Sequence, residues 1–181
     1  MQPAILFLFL STALALPSLQ LRVANSTSNR NNTCDPQKTA LLTDGIQRNI
    51  DLQMKEIQSL KTLENLAKSA NTTLRAANST SGNDPIYKVQ QSEVAKLQQE
   101  GITIRTENQK IARELKSPSA LQKGLASVAI EQNSARVMLR GLVAGRNDTA
   151  MIGALVKGVE EGLKINGENL GVAKGGKGCG K

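Results

Sequence analysis

Beyond residue 17 the chain holds three prolines, and each directly follows a residue able to cap a helix: Asp35-Pro36, Asp84-Pro85 and Ser117-Pro118. An Asp or Ser side chain accepts hydrogen bonds from the orphan N–H groups of a first helical turn. Proline in the next position sacrifices nothing, because its missing N–H would go unpaired there. A fourth start reads Asn147-Asp148-Thr149, ahead of another apolar periodic run. Four starts divide the chain into four long helices.

The spacing predicts a first helix from Pro36 to near Asn71, with Leu42, Ile46, Ile50, Met54, Ile57, Leu60, Leu63 and Ala67 inward. Residues 71–84 read as a linker, with or without another helical turn at its start. A second helix runs from Pro85 to about Leu115. Its Val94, Leu97, Gly101, Ile104, Asn108, Ile111 and Leu115 alternate steps of three and four, a heptad seam that suits an internal interface or a dimer equally. Glu93, Glu100, Glu107 and Glu114 follow it in register. Seven helical residues separate neighbours by about 10.5 Å, too far for joint metal coordination, so the row reads as a charged edge pairing with an adjacent helix.

A third helix from Pro118 carries Leu121, Leu125, Val128, Gln132, Ala135, Leu139 and Leu142 inward. A fourth, from about Thr149 to Ala173, carries Ile152, Leu155, Val159, Leu163, Asn166 and Leu170. Its glycines (Gly153, Gly158, Gly162, Gly167 and Gly171) either weaken it or let another helix come close. Short connections favour antiparallel neighbours, hence an all-α, up-down-up-down four-helix bundle. The polar seam residues Asn108, Gln132 and Asn166 read as register-setting contacts, or as the lining of a small cavity. Gly101 falls level with Gln132, and Asn166 with Asn108.

Residues 1–15 read as a secretory signal peptide, with Ala13-Leu14-Ala15 as its cleavage site. Residues 16–33 form a polar tail rich in Asn, Ser and Thr, expected to be disordered, and 34–181 a single helical-bundle domain. No transmembrane segment is expected. Five sequons, at Asn25, Asn31, Asn71, Asn78 and Asn147, all placed outside the predicted helix interiors, suit a secreted glycoprotein. Cys34 and Cys179 flank the helical region, and in an oxidising compartment they are expected to form one disulfide. An antiparallel bundle brings both to one end, with Asn71, Asn78 and Asn147 at the other.

The chain has no His and no Trp, and both Phe residues lie in the signal stretch. Without His there is no Ser-His-Asp triad or Cys-His pair, and transition-metal ligation is poor. A carboxylate pair for glycoside hydrolysis would have only Tyr87 as a sugar platform. The expectation is a non-enzyme with no cofactor or metal. The formal charge of +8 is concentrated in residues 116–181, which hold 10 basic and 5 acidic side chains against 11 and 10 in residues 35–115. Anionic glycans, wall polymers or lipid headgroups are the natural partners of such charge outside a cell, while nucleic acid lacks its aromatic stacking platform. A solvated face that aids solubility is the simpler alternative.

The segments 33–38 (Thr-Cys-Asp-Pro-Gln-Lys), 45–53 (Gly-Ile-Gln-Arg-Asn-Ile-Asp-Leu-Gln), 104–112 (Ile-Arg-Thr-Glu-Asn-Gln-Lys-Ile-Ala) and the terminal Lys177-Gly-Cys179 resemble a group of small secreted proteins of filamentous ascomycete fungi. The resemblance covers about residues 34–179 and concerns scaffold residues. It implies an extracellular helical protein of effector-candidate type with no assigned biochemical activity. Fungal hydrophobic-surface-binding and cell-wall mannoproteins look similar in architecture only. The reading is a basic, secreted binding protein of effector or virulence type, acting on a host or on the fungal cell wall. The alternative is a carrier or surface-active protein holding a lipid or other apolar ligand between its helices.

Overall fold

The computed structural model describes residues 35–76, 84–144 and 147–177, and among these the chain is helical with no strand. The helices are α1 (Pro36–Ala76), α2 (Pro85–Glu114), α3 (Ser119–Arg140) and α4 (Asp148–Val172), which runs on into a π-helical turn, Ala173–Lys177. Cys34, Cys179, Asn25, Asn31 and Asn78 lie outside the described residues, and with them the expected disulfide.

Two starts form as their sequences dictate. Asp35 Oδ1 accepts from the N–H groups of Gln37 (3.0 Å) and Lys38 (3.2 Å). Asp84 Oδ1 accepts from Ile86 (2.8 Å) and Tyr87 (3.4 Å). The third start differs from the expectation. Ser117 is buried and belongs to the end of α2, while Pro118 occupies the cap position of α3 with no side-chain bond. Ser117 N–H donates to Ala112 O (2.9 Å) and Lys116 N–H to Arg113 O (3.0 Å). This pair of bonds is a Schellman closure, and it requires a left-handed residue where Lys116 sits, at φ +50°.

The fourth start is likewise rearranged, for Asn147 makes no capping bond through its side chain. Asp148 turns back instead. Its Oδ2 accepts from the Val143 N–H (3.0 Å) and from the Tyr87 hydroxyl (2.6 Å), tying the α3–α4 corner to the first turn of α2. Burial and that carboxylate push the Tyr87 phenol well above its usual range. α1 takes the further turn beyond Asn71 and ends at Ala76. Residues 71–76 hold neither Gly nor Pro to stop it, so the Asn71 sequon lies within a helix rather than in a linker.

Each helix packs against the next, and α4 packs back on α1. The pairs are antiparallel. Lys38 at the start of α1 meets Glu114 at the end of α2 (2.6 Å), while Ser59 farther along α1 takes a bond from Gln90 near the start of α2 (2.6 Å). On the other side of α2, Gln109 donates to Leu125 O (3.1 Å) and Gln91 to Leu139 O (2.7 Å). The core has two apolar parts. One gathers Leu60, Leu63, Tyr87, Val94, Leu139, Ile152 and Leu155, the other Leu42, Ile46, Ala112, Leu121, Leu125 and Ala173.

The positive φ of Lys116 yields a prediction. A left-handed L-residue costs about 1–2 kcal/mol that glycine avoids, partly offset by glycine's greater unfolded-state freedom. Lys116→Gly should therefore stabilise the bundle by about 0.5–1 kcal/mol in urea denaturation. An unchanged or lowered midpoint would show that the lysine side chain compensates.

Candidate functional site

Between the two apolar parts the bundle is polar. The inward stripe of α1 is Leu42, Ile46, Asn49, Gln53, Glu56, Leu60, Leu63 and Ala67, all at most 2 % exposed. It steps by four and three without a break. The hydrophobic path drawn from the sequence bends away in the middle, through Ile50, Met54 and Ile57. The helix does not follow it, and Met54 is 45 % exposed. α2 behaves the same way: Gln98, Arg105 and Ala112 are more deeply buried than Leu97, Ile104 and Ile111. In α4, Gly162 and Asn169 are buried, whereas Leu163 and Leu170 are only half-buried. The α3 stripe is the predicted one throughout.

Asn108, Gln132 and Asn166 are all buried, but they are a minority of the layer. Asn49, Gln53, Glu56, Gln98, Arg105 and Asn169 join them. Gln98 Nε2 donates to Glu56 Oε1 (2.9 Å), and Asn166 Nδ2 to Gln53 Oε1 (2.8 Å). Asn166 is thus bonded to adjacent α1, while Asn108 lies against Gly45 of α1, so these two asparagines serve different contacts. Arg105 is held loosely, with Nη2 at 3.4 Å from Asn49 Oδ1, Nη1 at 3.5 Å from Val128 O, and Nε without a partner.

Burial raises the Glu56 carboxyl above its ordinary range, against the Gln98 bond and the Arg105 charge. Burial brings the Arg105 guanidinium down to about 10, with Glu56 opposing, so it remains charged at neutral pH. A buried cation and carboxylate without close pairing cost stability rather than add to it. Further layer atoms without protein partners are Asn49 Nδ2, Gln98 Oε1, Asn108 Nδ2, Gln132 Oε1, Asn166 Oδ1 and Asn169 Nδ2. The crevice beside Gln53, Gln132 and Gly162 is about 10 Å³, room for one water at most. A crevice of that size has no room for an apolar guest.

Steric fit links the layer to glycine. A methyl group at Gly45 would overlap the Asn108 amide, and one at Gly124 the Asn169 amide. At Gly162 it would come within 2.7 Å of Gln53 Nε2, and at Gly101 within 3.1 Å of Gln132 Nε2. Of the α4 glycines, only Gly162 marks a close approach; Gly153, Gly158, Gly167 and Gly171 face open space.

The surface over α2 and α3 has a different chemistry. Of the Glu row, Glu114 meets Lys38 of α1, while Glu93 and Glu107 pair within α2 with Lys96 (2.8 Å) and Lys110 (3.8 Å). Only one of the four carboxylates therefore meets a neighbouring helix among these pairs. The α3 side of α2 carries two shallow grooves. One, about 290 Å³, is lined by Ser92, Ala95, Lys96, Gln99, Arg136 and Arg140, with Gln98 and Leu139 at its base. The other, about 220 Å³, is lined by Gln109, Arg113, Gln122 and neighbouring apolar residues. Neither lining contains a carboxylate, and Arg113, Arg136 and Arg140 have no ion-pair partner among the described residues.

Among the described residues no helix is long and apolar enough to cross a membrane, and no three His, Cys, Asp or Glu side chains are grouped to hold a metal ion. Asn147 is exposed at the start of α4. Compared with protein families, curated proteins and solved structures, the chain matches none.

Two predictions follow from the layer. Gly45→Ala and Gly124→Ala should each destabilise the bundle by about 1–3 kcal/mol through overpacking, although alanine is the better helix former. Gly153→Ala and Gly158→Ala should stabilise it by up to about 1 kcal/mol. The second concerns Glu56. A carboxyl whose folded pKa is raised contributes stability present below its unfolded pKa and lost as pH rises through the folded value. Glu56→Gln should therefore gain on the wild type progressively as pH rises above 4.5, read as the difference between their urea midpoints. A difference that does not change with pH would refute the burial of the charged form.

Proposed function

We propose that this chain is a secreted, glycosylated, non-enzymatic binding protein of effector type, acting on a host or on the fungus's own cell wall. In this reading it engages an anionic extracellular macromolecule along the α2–α3 seam. The observation that carries it is the group of arginines along this seam without ion-pair partners among the described residues. Glu114 turns to Lys38 of α1 and Lys96 is taken by Glu93, while Arg113, Arg136 and Arg140 stand unpaired on the α3 side in grooves whose linings hold no carboxylate. Unpaired guanidiniums in a shallow groove suit carboxylate, sulfate or phosphate groups, which they can grip in bidentate fashion. The glutamines that bridge α2 to the α3 backbone keep this surface polar. The rival reading, a lipid or other apolar ligand between the helices, is disfavoured by the charged amide layer at the bundle's centre.

The test is titration of a polyuronate, with its neutral reduced counterpart as control, into protein secreted by its own source. Binding should be confined to the polyuronate and weaken steeply with salt. Arg136→Glu with Arg140→Glu should lower affinity at least tenfold, whereas Lys157→Glu on α4 should leave it unchanged. Equal affinity of the paired variant would remove the seam from consideration. Turnover of a substrate, lost on substituting a carboxylate pair, would make the protein an enzyme instead.

A further inference from the structure

We infer that this bundle is a tandem repeat of a single helical hairpin, with α1–α2 as one copy and α3–α4 as the other, and that the interface between the copies is the self-complementary one that two separate hairpins would form.

The register is read directly from the layer. Leu42, Gly45, Ile46, Gln53, Leu60 and Leu63 in α1 recur 79 residues later as Leu121, Gly124, Leu125, Gln132, Leu139 and Leu142. Val94, Glu100, Gly101, Ile104, Glu107, Asn108 and Ala112 in α2 recur 61 residues later as Leu155, Glu161, Gly162, Ile165, Glu168, Asn169 and Ala173. The two offsets differ because the first hairpin has the longer α1 and a longer connection. Chance matches in amphipathic helices fall on Leu, Ile and Glu. Here they include glycine and an amide in all four helices.

The contacts repeat as well, which periodicity alone does not require. Each glycine receives the amide of the helix that follows it round the ring. Within the hairpins, Gly45 takes Asn108 and Gly124 takes Asn169; between them, Gly101 takes Gln132 and Gly162 takes Gln53. A half-turn that carries α1 to α3 and α2 to α4 maps each of these contacts onto an observed one. An interface so related is isologous, the kind formed by identical subunits.

The copies differ in the layer at four positions: Asn49, Glu56, Gln98 and Arg105 stand where the other copy has Val128, Ala135, Val159 and Asn166. Two identical hairpins could not readily hold this set. Pairing would bury two carboxylates at the level of Gln98 and two guanidiniums at the level of Asn49. One charged copy facing one less polar copy avoids this, so the set fits a joined chain and not a symmetric pair.

The inference is tested with a circular permutant of the helical region that begins at Ser117 and ends at Lys116. Ala173 corresponds to Ala112 and Leu42 to Leu121, so the eight residues 113–120 that link Ala112 to Leu121 should also link Ala173 to Leu42. The grafted permutant is expected to be a monomer with the wild-type helical content and a denaturation midpoint close to that of the wild type. A second permutant joins the same points through twenty Gly and Ser residues. If the flexible join folds and the grafted corner does not, the two corners are not equivalent and the inference is wrong. If neither folds, the ring depends on its native connection and the inference is equally wrong. In the native chain order, Asn49→Val, Glu56→Ala, Gln98→Val and Arg105→Asn combined should fold with a raised midpoint; a fall would show that the two halves are not interchangeable here.

Discussion

A helix packed along its whole length against two neighbours keeps one straight inward stripe. Positions stepping by four and three stay inside whether or not their side chains are apolar. In α1 the stripe passes from Ile46 to Leu60 through Asn49, Gln53 and Glu56, although Ile50 and Ile57 lie beside it. Turning the helix to bury those two would withdraw Leu42 and Leu63 from the apolar parts at either end. The ends therefore decide the middle, and the bundle carries a polar layer that it did not need for compactness.

That layer trades stability for definition. Amides seated on glycines admit one axial arrangement, because a slip of one turn sets an amide against a bulkier side chain and leaves its glycine unfilled. Loose bonding around Arg105 and the unpaired amide atoms make the layer expensive. Its repetition round the ring gives the expense a reason, since the same two contacts hold each hairpin together and join the two. A buried polar contact that fixes register is the best-attested use of such groups.

The same geometry divides the outside. Because the Gln98–Arg105 face of α2 turns inward, Glu114 falls beside α1 and Arg113 beside α3. α3 adds Arg136 and Arg140 to that seam. A chain with modest net charge in its first hairpin thus presents a strip of arginines without ion-pair partners, and the proposed anionic partner rests on this placement rather than on the total of +8.

Much of the fold was legible in the chain. Asp-Pro starts, heptad steps and short connections identify four antiparallel helices, since capping and periodicity are local properties. Asn108, Gln132 and Asn166 stood out because they interrupt an otherwise apolar run. Asn49, Gln53, Glu56 and Arg105 did not, since an apolar neighbour one position away offered a plausible hydrophobic path. The recurrence of Gly and Asn or Gln at matching intervals was a signal that could have exposed them. Likewise Ser117 resembles a cap, yet its N–H is taken by the preceding helix, and no local rule separates those two uses. The number, direction and ends of most helices are written locally in the chain, because these rest on interactions within a few residues. Which face turns inward, which amide meets which glycine and where the free arginines gather emerge only on packing, because contacts at both ends of a rigid helix override the hydrophobicity of its middle.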